Sequence, residues 1–159
     1  MIIVADSSPL ISLAIIDKLD LIVEIFGDVI IPIAVYEEIT EEGKIKSEEL
    51  KEYFCKKTCE VNNEIGIRIL NTEIDLGESE AIILALERNI NIILMDDLKG
   101  RKYAEIAGLT PIGSIGVITK AKEKGLINQV KPYLDKLREN KIRISDDLYK
   151  KILEKSNEL

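Results

Sequence analysis

Three short runs of branched aliphatic residues recur along the chain: IIVA at 2–5, DVIIP at 28–32 and NIIL at 91–94. A strand with one wet face alternates apolar and polar residues, so a run that is apolar throughout has to be covered on both sides. Each run is followed by a segment with helical apolar spacing. That alternation specifies an α/β chain in which a parallel sheet lies between helices. LTPIG at 109–113 reads as a further strand, and TCEVN at 58–62 as a short one.

The helices have recognisable ends. Ser7 and Ser8 can cap a helix that takes Pro9 in its first turn, residues 18–27 stop at Gly27, and Pro32 opens a helix through Ile39. Further helices are predicted over 47–57, 64–74, 76–89 and 98–108, over 114–124 with Ser114 as cap, and twice within 128–159. A chain of 159 residues has room for one substantial core. It is read as a single domain, 1–159, with 126–159 as a C-terminal helical extension.

Composition removes whole classes of chemistry. There is no histidine, which excludes imidazole bases, Ser-His and Cys-His catalysis and the usual zinc ligands. Cys55 and Cys59 form neither a CxxC pair nor half of a zinc site, so free thiols are expected. No apolar run reaches the length of a membrane span, and MIIVADSS lacks the basic start and cleavage site of a signal peptide. The expectation is a cytoplasmic protein with no membrane partner. A net charge of −7 opposes broad attraction to a phosphate backbone and leaves that role to local patches such as KGRK at 99–102.

Acids remain, and they fall at or just past element ends: Asp6, Glu37 with Glu38, Glu78 with Glu80, and Asp96 with Asp97. In open parallel sheets the ligand crevice lies outside the carboxyl ends of the strands, where these residues are expected. Carboxylates gathered there repel one another unless a cation joins them, and Mg²⁺ or Mn²⁺ takes oxygen ligands of this kind. Such a site suits phosphodiester hydrolysis. Each acid also has a structural use. Asp6 and Asp97 can cap helices, and Glu78 and Glu80 can complement a helix dipole. Glu37 and Glu38 point about 100° apart, so one faces the crevice; Glu38, three residues after Val35, follows the buried stripe.

The blocks ADSSPLISL, IPIAVYEEI, DLGESEAIILAL, IILMDDLKGRKYAEIAGL and PIGSIGVITKAKEKGLI, in that order, resemble the PIN domain family of prokaryotic proteins over residues 1 to about 130. The resemblance implies a Rossmann-like three-layer α/β/α sandwich with a parallel central sheet. It implies a Mg²⁺- or Mn²⁺-dependent ribonuclease, as in the toxins of toxin-antitoxin pairs. Asp6, Glu38, Glu80 and Asp97 then match the catalytic and metal-binding acids, Asp96 is a further metal ligand, and Ser8 is the hydroxyl that orients Asp6. Lys99, Arg101 and Lys102 either hold the substrate phosphate or form a solvated face. Two positions depart from the toxins: Met95 replaces a Thr or Ser, and Glu80 replaces the commoner Asp with a longer arm. The partners implied are an RNA substrate, an antitoxin protein and a second copy in a homodimer. A PIN-like binding module without strong catalysis is the alternative. A receiver-like signalling domain fits less well, since it needs an acidic pair after the first strand and a lysine after the last, where this chain has Asp6 alone and PIGS.

Overall fold

The apolar runs form the strands of a computed structural model that describes residues 1–159. In chain order the elements are β1 (Ile2–Ala5), α1 (Ser7–Ile15), α2 (Leu21–Phe26), β2 (Asp28–Pro32), α3 (Ile33–Ile39), α4 (Ser47–Phe54) and β3 (Thr58–Cys59). There follow α5 (Glu64–Leu70), α6 (Leu76–Glu87), β4 (Ile92–Leu94), α7 (Leu98–Ile106), β5 (Thr110–Ile112), α8 (Ser114–Glu123), α9 (Lys131–Glu139) and α10 (Asp146–Lys155).

All the strand pairs are parallel, in the order β3-β2-β1-β4-β5. The fold is therefore the α/β three-layer arrangement predicted. β1 occupies the centre because its residues are apolar on both faces. Ile3 and Ala5 share one buried cluster with Val29, Ile31 and Leu94 and with side chains of α1, α2 and α8. Val4 joins Ile93 and Met95 in a second cluster beneath α6 and α7. The period-two alternation of a strand thus divides one hydrophobic run between two cores.

The chain leaves β1 toward β2 on one side and later returns through β4 on the other, so the order reverses between β1 and β4. Such a switch point opens a crevice, because the two following connections diverge to opposite faces. Ala5 pairs with Leu94 at this point, and the Asp6 N–H donates to the Leu94 carbonyl at 2.9 Å. Asp6 and Asp96 therefore leave the sheet side by side.

Three local features differ from expectation. The first helix begins at Ser7 with Asp6 in the N-cap position, and the helix after β5 begins at Ser114 with Gly113 in that position, neither making a side-chain capping bond. Both serines turn their hydroxyls to carboxylates instead of to helix N–H groups. β3 pairs over two residues only, because β2 ends in Pro32, which has no N–H to carry the ladder further.

The C-terminal helices pack on the same core as β1, through Leu134, Leu137, Ile152 and Leu153. Glu158 fastens the end of the chain, accepting from Val130 N–H at 2.8 Å and Lys131 N–H at 2.9 Å and pairing with Lys122 at 2.7 Å. Cys55 and Cys59 are free thiols. No helix is long and apolar enough to cross a membrane.

Candidate functional site

Asp6 sits at the floor of the crevice and is 5% exposed. As N-cap of α1 it has extended backbone geometry but makes no side-chain capping bond. Burial pushes its pKa up to about 7; the Ser7 N–H opposes the shift, and the carboxylates of Asp75, Glu38 and Asp96 add to it. Those three acids arrive from three different elements and define the site.

Glu38 comes from α3, where it shares a face with Val35. Its Oε2 accepts from the Ser7 hydroxyl at 2.7 Å. The opposite wall is Gly77: a Cβ there would lie 3.2 Å from Glu38 Oε2, 3.5 Å from Asp6 Oδ1 and 3.5 Å from Val35 Cγ2. α6 thus passes close over the two acids at Gly77, where a side chain would press on Glu38. Glu37 and Glu38 are both exposed, and it is Glu38 that bonds Ser7.

Asp96, at the end of β4, is held by Ser114. The Ser114 N–H donates to Oδ1 at 2.6 Å, and its hydroxyl lies 3.1 and 3.0 Å from the two carboxylate oxygens. Burial raises the Asp96 pKa, while the Ser114 donors and the nearby Arg101 guanidinium pull it down. Arg101 also donates to the Met95 carbonyl at 3.4 Å.

α6 supplies the remaining acids. Asp75 and Glu78 form a reciprocal capping box: the Glu78 N–H donates to Asp75 at 2.8 Å, and the Asp75 N–H donates to Glu78 Oε1 at 3.1 Å. The other oxygen, Glu78 Oε2, is buried without any hydrogen-bond partner. Glu78 is 5% exposed, and burial, with Asp75, Asp6 and Asp97 nearby, pushes its pKa up to about 8. Gly100 on α7 is what admits this carboxylate, since a Cβ there would collide with Glu78 Oε2 and stand 2.7 Å from Met95 Sδ.

The structure brings Asp6, Glu38 and Asp96 to one crevice and gives other contacts to further residues singled out in the sequence. Glu80 accepts from the Ala34 N–H at 3.1 Å, which satisfies a donor at the open end of α3. On a helix it points about 160° away from Glu78, and that rotation decides which of the two meets the buried crevice. Asp97 is the N-cap of α7 and accepts from the Gly100 N–H at 2.9 Å, and its charge acts on Glu78, whereas the Asp96 charge acts on Asp6. The hydroxyl that organises the acids belongs to Ser7; Ser8, one residue and about 100° further round α1, is exposed. Lys99 pairs with Glu73 at 3.3 Å, Lys102 is exposed, and of the basic patch only Arg101 reaches the acids. Asp75, Ser7 and Ser114 were not assigned these contacts from the sequence. The D-x-x-E spacing of Asp75 and Glu78 is the signal that marks the first of them.

The donor set is one of hard oxygens, with a buried carboxylate oxygen unpartnered and two acids whose protons are retained near neutrality by their surroundings. These features fit a hard divalent cation. No group of three or more acidic side chains stands close enough together here to hold an ion; Glu38 and Asp96 are engaged by Ser7 and Ser114.

No curated protein and no solved structure matches the chain. A family model described as a PIN domain matches residues 2–158, so the match runs through α10 and includes the C-terminal helices. The chain belongs to the PIN domain family, whose members are in general nucleases.

Proposed function

We propose that the protein is a Mg²⁺- or Mn²⁺-dependent endoribonuclease, with Asp6, Glu38 and Asp96 as the acids that hold the ion and Asp75 and Glu78 closing the crevice from α6. The carrying observation is the buried Asp6 carboxylate, free of any cap, with acids from α3, α6 and β4 around it. A divalent ion bound there would polarise the phosphoryl oxygen and lower the pKa of an attacking water.

The chain's own residues prepare that chemistry. Ser7 fixes the rotamer of Glu38, and Ser114 fixes that of Asp96, so neither acid must be ordered when substrate arrives. Glu78 retains a proton near neutral pH in the metal-free protein, with Oε2 sealed from solvent. Arg101 lies beside Asp96 and supplies positive charge for a phosphate oxygen. A toxin paired with an antitoxin is one biological setting for such an enzyme.

The second reading, a PIN-like binding module with weak catalysis, is favoured by the open spacing of the acids. Cleavage of labelled single-stranded RNA in Mn²⁺ or Mg²⁺ separates the two. The enzyme reading requires cleavage that chelator abolishes and that Asp6→Asn and Asp96→Asn each remove. RNA that is bound but remains whole in both metals supports the binding module.

A further inference from the structure

A groove of about 970 Å³ runs away from Asp96 between α1, the β5–α8 junction and the link from α9 to α10. Its walls are mixed, but every charged side chain lining it apart from Asp96 is a cation: Arg101, Lys141 and Arg143. None of the three is in an ion pair, in a chain whose net charge is −7. Positive charge has therefore been gathered at one place against the overall balance, and it adjoins the acids.

The link that carries two of these cations is rigidly presented. Ile142 and Ile144 pack into the core, while Lys141, left-handed at φ 66° just past α9, and Arg143 between the two isoleucines are exposed. The backbone is pinned at both ends of the segment. The Ile142 N–H donates to the Leu137 carbonyl at 3.0 Å, and Arg138 donates to the Ile144 carbonyl at 2.9 Å. At the inner end, Gly113 leaves only backbone in the floor. A Cβ there would stand 2.7 Å from the Arg101 guanidinium and 3.0 Å from Asp96 Oδ1.

We propose that this groove seats the single-stranded RNA flanking the scissile phosphate, with Lys141 and Arg143 of the C-terminal extension and Arg101 binding successive phosphates. Exposed aliphatic groups of the wall, such as Leu98 at 82% exposure, lie against bases or sugars. The assignment rests on the ribonuclease reading for its direction toward Asp96. Its electrostatic content stands on the three unpaired cations.

The test is fluorescence anisotropy of a short fluorescein-labelled single-stranded RNA, in chelator, with Asp6→Asn protein so that nothing is cleaved. Adding Lys141→Glu and Arg143→Glu weakens binding by about tenfold or more and lowers the salt slope by about 1.4, the value for two phosphate contacts on a single strand. Lys51→Glu with Lys56→Glu, the same charge change leading into β3 at the opposite edge of the sheet from β5, changes affinity less than about twofold. Equal losses in the two double variants, or no loss in either, overturn the proposal, and the second result leaves the groove to a peptide. Melting temperature checks that each variant is folded. RNA bound through the groove but never cleaved by unmutated protein in Mn²⁺ refutes the ribonuclease reading alone. Cleavage with unchanged KM in the Lys141→Glu, Arg143→Glu protein refutes the groove alone.

Discussion

Replacing Asp6 with Asn stabilises the metal-free protein and removes its response to metal, and both effects follow from one buried charge. The Asp6 pKa rises from 3.8 to about 7 on folding, chiefly because the carboxylate is taken out of water. A carboxyl with a raised folded pKa makes the native state bind more protons than the unfolded chain. Stability is then greatest below the unfolded value, falls as pH rises between the two values, and levels off above the folded one. A shift of about 3 units corresponds to about 4 kcal/mol, and at 5% exposure little of this is screened. The metal-free wild type therefore loses about 4 kcal/mol from this group between pH 4 and pH 8, on the order of 10 °C in melting temperature for a domain of this size. Asn keeps an oxygen for the Ser7 N–H and carries no charge, so its melting curve lacks that part of the pH slope.

Thermal melts by circular dichroism at pH 5, 6, 7 and 8 in chelator compare the two proteins, and a second series adds Mn²⁺ or Mg²⁺. The gap between Asp6→Asn and wild type widens with pH in chelator. Metal closes it by raising the wild type only. Parallel pH slopes for the two proteins, or an equal metal response, would show that the Asp6 carboxylate is neither the strained charge nor the ligand. Glu78, pushed up to about 8, leaves a residual slope in the variant, and because the Asp6 charge is one of the causes raising Glu78 the two contributions are not summed.

Ser114→Ala deletes the hydroxyl but leaves the backbone donor to Asp96; denaturant melts register a loss of about 1 kcal/mol, and metal titration a Kd about tenfold higher. Gly100→Ala forces a methyl group against the Glu78 carboxylate and Met95, lowering stability by about 1 to 3 kcal/mol in the same melts. Glu80→Gln retains an oxygen acceptor for the Ala34 N–H and keeps Mn²⁺-dependent RNA cleavage within about threefold of wild type, whereas Glu80→Ala orphans that N–H and costs about 1 kcal/mol. A hundredfold loss of cleavage in Glu80→Gln would restore Glu80 as a metal ligand.

The strands and helices were legible because burial on two faces leaves a continuous apolar run, and the stop signals at Gly27 and Gly108 fall at positive φ where the sequence puts them. The roles of the acids were less so. A carboxylate at a helix start serves equally as a cap or as a ligand, and the choice depends on partners far along the chain. Ser7 finds Glu38 across 31 residues, Ser114 finds Asp96 across 18, and Glu80 finds Ala34 across 46. Local spacing placed the acids at the correct edge of the sheet, but side-chain direction was set by these tertiary contacts.

Asp6, Asp75 and Asp97 occupy equivalent places as N-caps of α1, α6 and α7. Three helix N-termini thus face one crevice, and their partial positive charge offsets some of the repulsion among the acids. Asp75 and Asp97 use their carboxylates to bond helix N–H groups, which stabilises each helix and leaves fewer lone pairs for an ion. Asp6 makes no such capping bond although its backbone geometry allows one, and its carboxylate meets only the adjacent Ser7 N–H. A capping interaction is worth roughly 1 kcal/mol, so leaving it unmade while burying the charge is a net cost in the metal-free fold. A cation shared with Glu38 and Asp96 offsets that cost, and this is the physical ground for placing the ion at Asp6 and not at the two aspartates that complete their own helices.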